Sequence, residues 1–233
     1  MKSSNILSMD LQDEIMKQTL KEKIYLLSAK TSRGQTASPR EKASAMEFVT
    51  DLEKLNPSFS PAQSQVSMGS WELIYSNTKL LRSSPLFIVI RSMFVKNEIL
   101  FERFCNIYSE ALKFTKIGRI KQIITSVSIQ SEFQTDVSLI PGIKLSNTLI
   151  SKAEIFKSTD DTWQILVENI KAKDGMLGRL SGIPINTISS FLDRNIPQYS
   201  TPMATIRVSY VDQDLRVTRD QDFNICVFSK FQE

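Results

Sequence analysis

From residue 61 onward the apolar side chains fall into short runs with a period of two, and this constrains the chain more than any other feature. Trp71, Leu73 and Tyr75 alternate with Glu72, Ile74 and Ser76, and Phe133, Thr135, Val137 and Leu139 alternate with Gln134, Asp136 and Ser138. Trp163, Ile165 and Val167 alternate with Gln164, Leu166 and Glu168 after the Asp160 and Asp161 turn. Residues 120–129 and 149–156 add β-branched and apolar runs. Ile206, Val208 and Tyr210, then Leu215 and Val217, then Phe223, Ile225 and Val227 complete the series. Many short strands joined by turns predict an antiparallel barrel or sandwich. No GxGxxG motif or phosphate-binding loop occurs, so a doubly wound nucleotide-binding fold is not expected.

The first part of the chain carries a different period. Leu11, Ile15, Leu20, Ile24 and Leu27 recur at spacings of three to five and predict a helix over 10–30. Ser38, Pro39 and Glu41 form a strong helix start: a capping serine, a proline fitted to the first turn and a glutamate at the capping-box position. Ala45, Phe48, Val49, Leu52 and Leu55 supply that helix's buried face, and Asn56 with Pro57 stops it. The expected organisation is an N-terminal helical segment over 1–56 followed by a barrel domain over 57–233.

Composition narrows the function classes. The 233 residues include no histidine, which removes Ser-His-Asp and Cys-His catalysis and every metal site that needs an imidazole. The carboxylate clusters, Asp160 with Asp161 and Asp212 with Asp214, sit where turns are expected and are read as turn residues, so no catalytic residue is assigned. Cys105 and Cys226 have no metal-ligand spacing and no disulfide framework, which predicts reduced thiols. A net charge of +4 without a basic and aromatic signature argues against a nucleic-acid partner. No apolar run reaches the ~18 residues of a spanning helix, and the N-terminal residues carry neither a signal-peptide core nor the acid-poor composition of a transit peptide. No cofactor is expected.

Three segments together resemble the plastid lipid-associated protein (fibrillin) family. The first joins Leu55, Asn56, Pro57, Ser58 and Phe59 to Gly69, Trp71, Glu72, Leu73, Ile74 and Tyr75. The second runs over 118–124 and then Ser131, Glu132 and Phe133. The third is residues 210–219 with Asn224, Ile225, Cys226, Val227 and Phe228, similar to the family's C-terminal pattern of an acidic turn, an arginine and a second arginine before the closing strand. Asp220 departs from it, where many members have glycine. The resemblance implies a mainly β, lipocalin-like antiparallel barrel in a plastid, at the thylakoid or plastoglobule periphery. It implies a non-enzymatic protein that binds or shields carotenoids, prenylquinones or other lipids. An alternative from another class is a scaffold docking onto a thylakoid membrane complex or a lipid-metabolic enzyme.

Within such a barrel, Arg216, held by Asp212 or Asp214, is expected to cover Trp71 beside Gly69 and close the floor with Arg219. The bland alternative leaves both arginines as solvated strand residues. Leu73, Tyr75, Phe133, Val137, Trp163, Ile165, Val208 and Tyr210 are candidates to line a ligand cavity, or else simply to fill the core. Phe87, Ile88, Ile90 and Phe94, with Arg91 and Lys96, form a candidate membrane contact, and a covered core segment is the competing reading. Residues 175–195 are unusually apolar for a connection.

Overall fold

A computed structural model describes residues 2–78, 80, 99, 115–140, 143–172 and 203–231. The helical period gives α1 (Lys2–Lys30) and α2 (Pro39–Lys54). α2 begins as its sequence dictates: Ser38 accepts from the Glu41 backbone N–H, and the Glu41 side chain accepts from the Ser38 backbone N–H at 2.9 Å. That bond from Ser38, together with the bond from Lys30, holds the Glu41 carboxyl down to about 2.

The strands are β1 (Gly69–Ser76), β2 (Thr115–Ile124), β3 (Ser128–Ile140), β4 (Ile143–Ser158), β5 (Thr162–Ala172), β6 (Met203–Val211), β7 (Leu215–Arg219) and β8 (Ile225–Lys230). Each pairs antiparallel with the next, and β8 returns to β1, so the sheet closes into an eight-stranded barrel with no open edge. The sequence alone left barrel and sandwich open; closure settles it. The β-branched run over 120–129 is not one strand but the tip of the β2–β3 hairpin, where the Thr125 N–H donates to the Ser128 carbonyl at 2.9 Å.

Two cores result. Trp71, Leu73, Ile120, Ile124, Ile129, Phe133, Leu149, Ala153, Trp163, Ile165, Val167, Val208, Val211 and Phe228 fill the barrel interior. A second cluster lies between the helices and the outer face of the barrel. In it Leu20 and Ile24 of α1 and Ala45, Val49 and Leu52 of α2 pack on Tyr75, Tyr210, Leu215, Val217, Ile225 and Val227. The helical segment therefore covers β1, β6, β7 and β8 and shares a core with the barrel. α1 outruns this seat: Leu11 and Ile15, at 63% and 59% exposure, continue its apolar stripe into solvent.

The connector between the helices is fitted to β1. The Ser76 N–H donates to the Arg33 carbonyl at 3.1 Å, and the Arg33 side chain reaches the Gly118 carbonyl at 2.6 Å. Gly34, at φ +87°, passes so close that an added Cβ would stand 2.1 Å from the Ser76 carbonyl oxygen. At the far end of β7, Asp220 fills the position that differs from the family pattern. Its carboxylate accepts from the Asp222 and Asn224 N–H groups at 2.9 and 2.8 Å, while the positive φ of the turn falls on Phe223.

Candidate functional site: the barrel interior and its closed floor

One end of the barrel is closed by residues 61–68, which cross it and are tied to two tryptophans. The Trp71 indole N–H donates to the Ser67 carbonyl at 2.9 Å, and the Trp163 indole N–H donates to the Ala62 carbonyl at 2.8 Å. The Ala62 N–H in turn donates to the Asp160 carbonyl of the β4–β5 turn at 2.9 Å. Asp160 and Asp161 are turn residues, and Asp161 additionally pairs with Arg207 at 2.7 Å. β1 and β5 end, and β2 and β6 begin, on the opposite side from this floor.

Above the floor stands Arg216, 0% exposed, with its guanidinium carbon 4.5 Å from the Phe228 ring centre, 5.0 Å from Trp71 and 5.7 Å from Trp163. Its Nη2 donates to Gln122 Oε1 at 2.5 Å. The stacking over Trp71 matches the sequence expectation. The expected holders do not: Asp212 and Asp214 lie on the outer side and bind Lys21 of α1 at 2.5 and 3.4 Å, and Asp212 also accepts from the Tyr210 hydroxyl. The turn is the reason: Arg216 points inward from β7, whereas Asp212 and Asp214 sit between β6 and β7, outside the alternation of either strand, and face α1.

Arg219 is likewise not part of the floor. Its guanidinium forms a two-pronged bond with Glu53 of α2 at 2.7 and 2.8 Å and fastens that helix to the barrel. Gly69, at φ +98°, opens β1 beside Lys230, whose ammonium lies 4.3 Å from the Trp71 ring centre and donates to the Val66 carbonyl at 3.1 Å and to the Met68 carbonyl. Trp71 thus has two cationic neighbours, Arg216 and Lys230. Burial pulls Arg216 down to about 9, leaving it charged at neutral pH, and burial with repulsion from Arg216 also lowers Lys230.

Of the eight candidate lining residues, Leu73, Phe133, Trp163, Ile165 and Val208 come together inside the barrel. Tyr75 and Tyr210 do not; they lie under the helices. A shift in register between Leu73 and Tyr75, and another between Val208 and Tyr210, reverses the face that each strand presents. Burial raises the Tyr75 hydroxyl to about 12, and burial with the bond to Asp212 raises Tyr210 further still. The side chain of Val137 and the segment with Phe87, Ile88, Ile90, Arg91, Phe94 and Lys96 lie outside the described residues, as do Cys105 and the stretch 175–195.

Sequence reasoning missed a row of polar residues facing inward. Gln122, Ser131 and Ser151 are register partners across β2, β3 and β4, and all three are buried. Their signal was available: each interrupts an otherwise apolar alternating face, Gln122 between Ile120 and Ile124, Ser131 between Ile129 and Phe133, and Ser151 between Leu149 and Ala153. Among the described residues no group of three or more Cys, Asp or Glu is placed to hold a metal ion.

An eight-stranded closed barrel with an apolar interior, a tryptophan floor and a basic residue stacked on it defines a lipocalin-like architecture. The chain belongs to the PAP_fibrillin family, whose model matches residues 16–229 and so spans both the helices and the barrel. This is a family of plastid lipid-associated proteins, generally structural in role. No curated protein and no solved structure gives a significant match.

Proposed function

We propose that this protein is a non-enzymatic carrier or shield for hydrophobic molecules such as carotenoids or prenylquinones, held in the barrel at a thylakoid or plastoglobule surface. The observation that carries this reading is the inward convergence of Leu73, Phe133, Trp163, Ile165 and Val208 in a closed sheet, above a floor fixed by two indole hydrogen bonds. Both tryptophans of the chain are in that floor, so bound pigment or quinone would quench most of the intrinsic fluorescence. Titration with a plastoquinone analogue or a carotenoid is expected to give saturable quenching. Fluorescence that stays constant through the titration would show a core filled by its own side chains.

The second reading, docking onto a thylakoid protein complex, is favoured by the exposed stripe on α1, where Leu11 and Ile15 are joined by Met16. Removing the helices is a poor test because it would uncover Tyr75, Tyr210, Leu215, Val217, Ile225 and Val227. Leu11→Ser with Ile15→Ser leaves that core intact. Under this second reading the pair abolishes co-migration with thylakoid complexes while pigment binding is retained.

A further inference from the structure

The interior of the barrel holds, among the described residues, more hydrogen-bond donors than it satisfies, and positive charge without a matching carboxylate. Among the described residues, Arg216 Nε and Nη1 have no hydrogen-bond partner, and neither does the Ser131 hydroxyl. Ser131 stands opposite Gln122 in the β2–β3 register, and Gln122 is the group that holds the remaining guanidinium nitrogen. The orphaned atoms inside the barrel are therefore grouped around one amide; the other buried unpaired atom among the described residues, the Tyr75 hydroxyl, lies under the helices. Buried polar groups in folded proteins are nearly always paired, because an unpaired one forfeits its hydration and gains nothing in return.

The unbalanced charge is independent of the hydrogen bonds. No Asp or Glu among the described residues forms an ion pair with Arg216 or Lys230, although both cations flank Trp71. Lys230 at least has the Val66 and Met68 carbonyls; Arg216 has one amide oxygen and three aromatic faces. Elsewhere this chain pairs its half-buried cations with carboxylates, Lys21 with Asp212 and Arg219 with Glu53. The fully buried Arg216 has no carboxylate partner among the described residues.

We infer that Arg216, with Gln122 and Ser131, is an interior anchor for the carboxylate of a long-chain acid whose hydrocarbon tail lies along the apolar interior. A carboxylate is planar, accepts from two guanidinium nitrogens at once and cancels the buried charge. A neutral carbonyl or hydroxyl would satisfy donors but not the charge. Leu73, Phe133, Ile165 and Val208 supply the wall for the tail. This inference rests on the proposed binding of hydrophobic molecules in the barrel and adds the head-group chemistry.

The test uses the full chain and three probes with the same tail: oleate, methyl oleate and oleyl alcohol, each below its aggregation concentration. Binding is read from the quenching of the two tryptophans and by calorimetry. Oleate is expected to bind one to one, at least tenfold more tightly than the ester or the alcohol. Arg216→Met is expected to bring oleate down to the affinity of the ester, and Ser131→Ala to weaken oleate severalfold without changing the ester. Equal affinity for all three probes would overturn the carboxylate anchor while leaving lipid binding in the barrel intact. Binding of a carotenoid or quinone with no oleate binding would do the same. Failure of every apolar probe would overturn both readings. The probe comparison is made on the unaltered chain, so it stands even where Arg216→Met does not fold.

Discussion

Replacing Arg216 by methionine removes the charge from the barrel interior and keeps an unbranched, adaptable side chain in its place. The favourable side of the native arrangement is one charge-assisted hydrogen bond to Gln122, about 2 kcal/mol. To it are added contacts with three rings, each about 1–2 kcal/mol when desolvated. Together these come to about 6 kcal/mol. Against them stands the cost of taking a guanidinium wholly out of water, also several kcal/mol, with two of its nitrogens left unpaired. The two sides nearly cancel, so Arg216→Met is expected to leave stability unchanged or raise it by up to about 2 kcal/mol. Gln122→Leu behaves oppositely. It strips the guanidinium of its hydrogen bond and is expected to cost about 3 kcal/mol, most of which the double variant recovers. Urea unfolding followed by far-UV circular dichroism reads this as shifts in midpoint at constant slope. Tryptophan fluorescence is unsuitable as the reporter, because both indoles touch the altered residue. A loss of more than about 2 kcal/mol in Arg216→Met would refute the reasoning, and would make the arginine a structural plug rather than a group kept for what it binds.

Two further outcomes follow from single contacts. Gly34→Ala is expected to cost about 2–3 kcal/mol, since the left-handed backbone at φ +87° is combined with a Cβ 2.1 Å from the Ser76 oxygen. Gly69→Ala, at φ +98° but facing only the Lys230 side chain at 3.2 Å, is expected to cost about 1 kcal/mol; equal melting temperatures for the two variants would contradict the clash. Asp212 supplies a pH dependence. Burial alone raises its carboxyl, but the bonds from Lys21, Tyr210 and the Asp214 and Leu215 N–H groups outweigh it and hold it below the ordinary range. With the folded value below the unfolded one of about 3.9, the stabilisation is present above that pH and is lost as pH falls through the lower, folded value. Asp212→Asn is therefore expected to flatten the acid limb of the stability profile below about pH 4, whereas parallel limbs in the two proteins would speak against the linkage.

Local rules in the sequence were sufficient for the elements but not for all of their ends. The helix read over 10–30 spans Lys2–Lys30, the run over 149–156 lies inside β4, and Phe223 falls in the turn before β8. The two-residue period fixed the strands around Trp71, Phe133, Trp163 and Val208, and Ser38 with Pro39 and Glu41 fixed the start of α2, because each depends only on neighbours along the chain. The absence of histidine and the family pattern over 210–219 were equally legible. Tertiary structure decided which face of each strand points inward. Alternation labels two faces and names neither, and β7 shows the consequence: Leu215 and Val217 turn outward to the helices, and the charged Arg216 turns inward. Tyr75 and Tyr210 left the interior for the same kind of reason, a register shift of the backbone that leaves no mark in the side-chain pattern. The partner of Arg216 was also beyond the sequence, since Asp212 and Asp214 are its near neighbours in the chain and Gln122 is 94 residues away. Only the closing of β8 onto β1 brings β7 and β2 around one interior and sets that guanidinium against that amide.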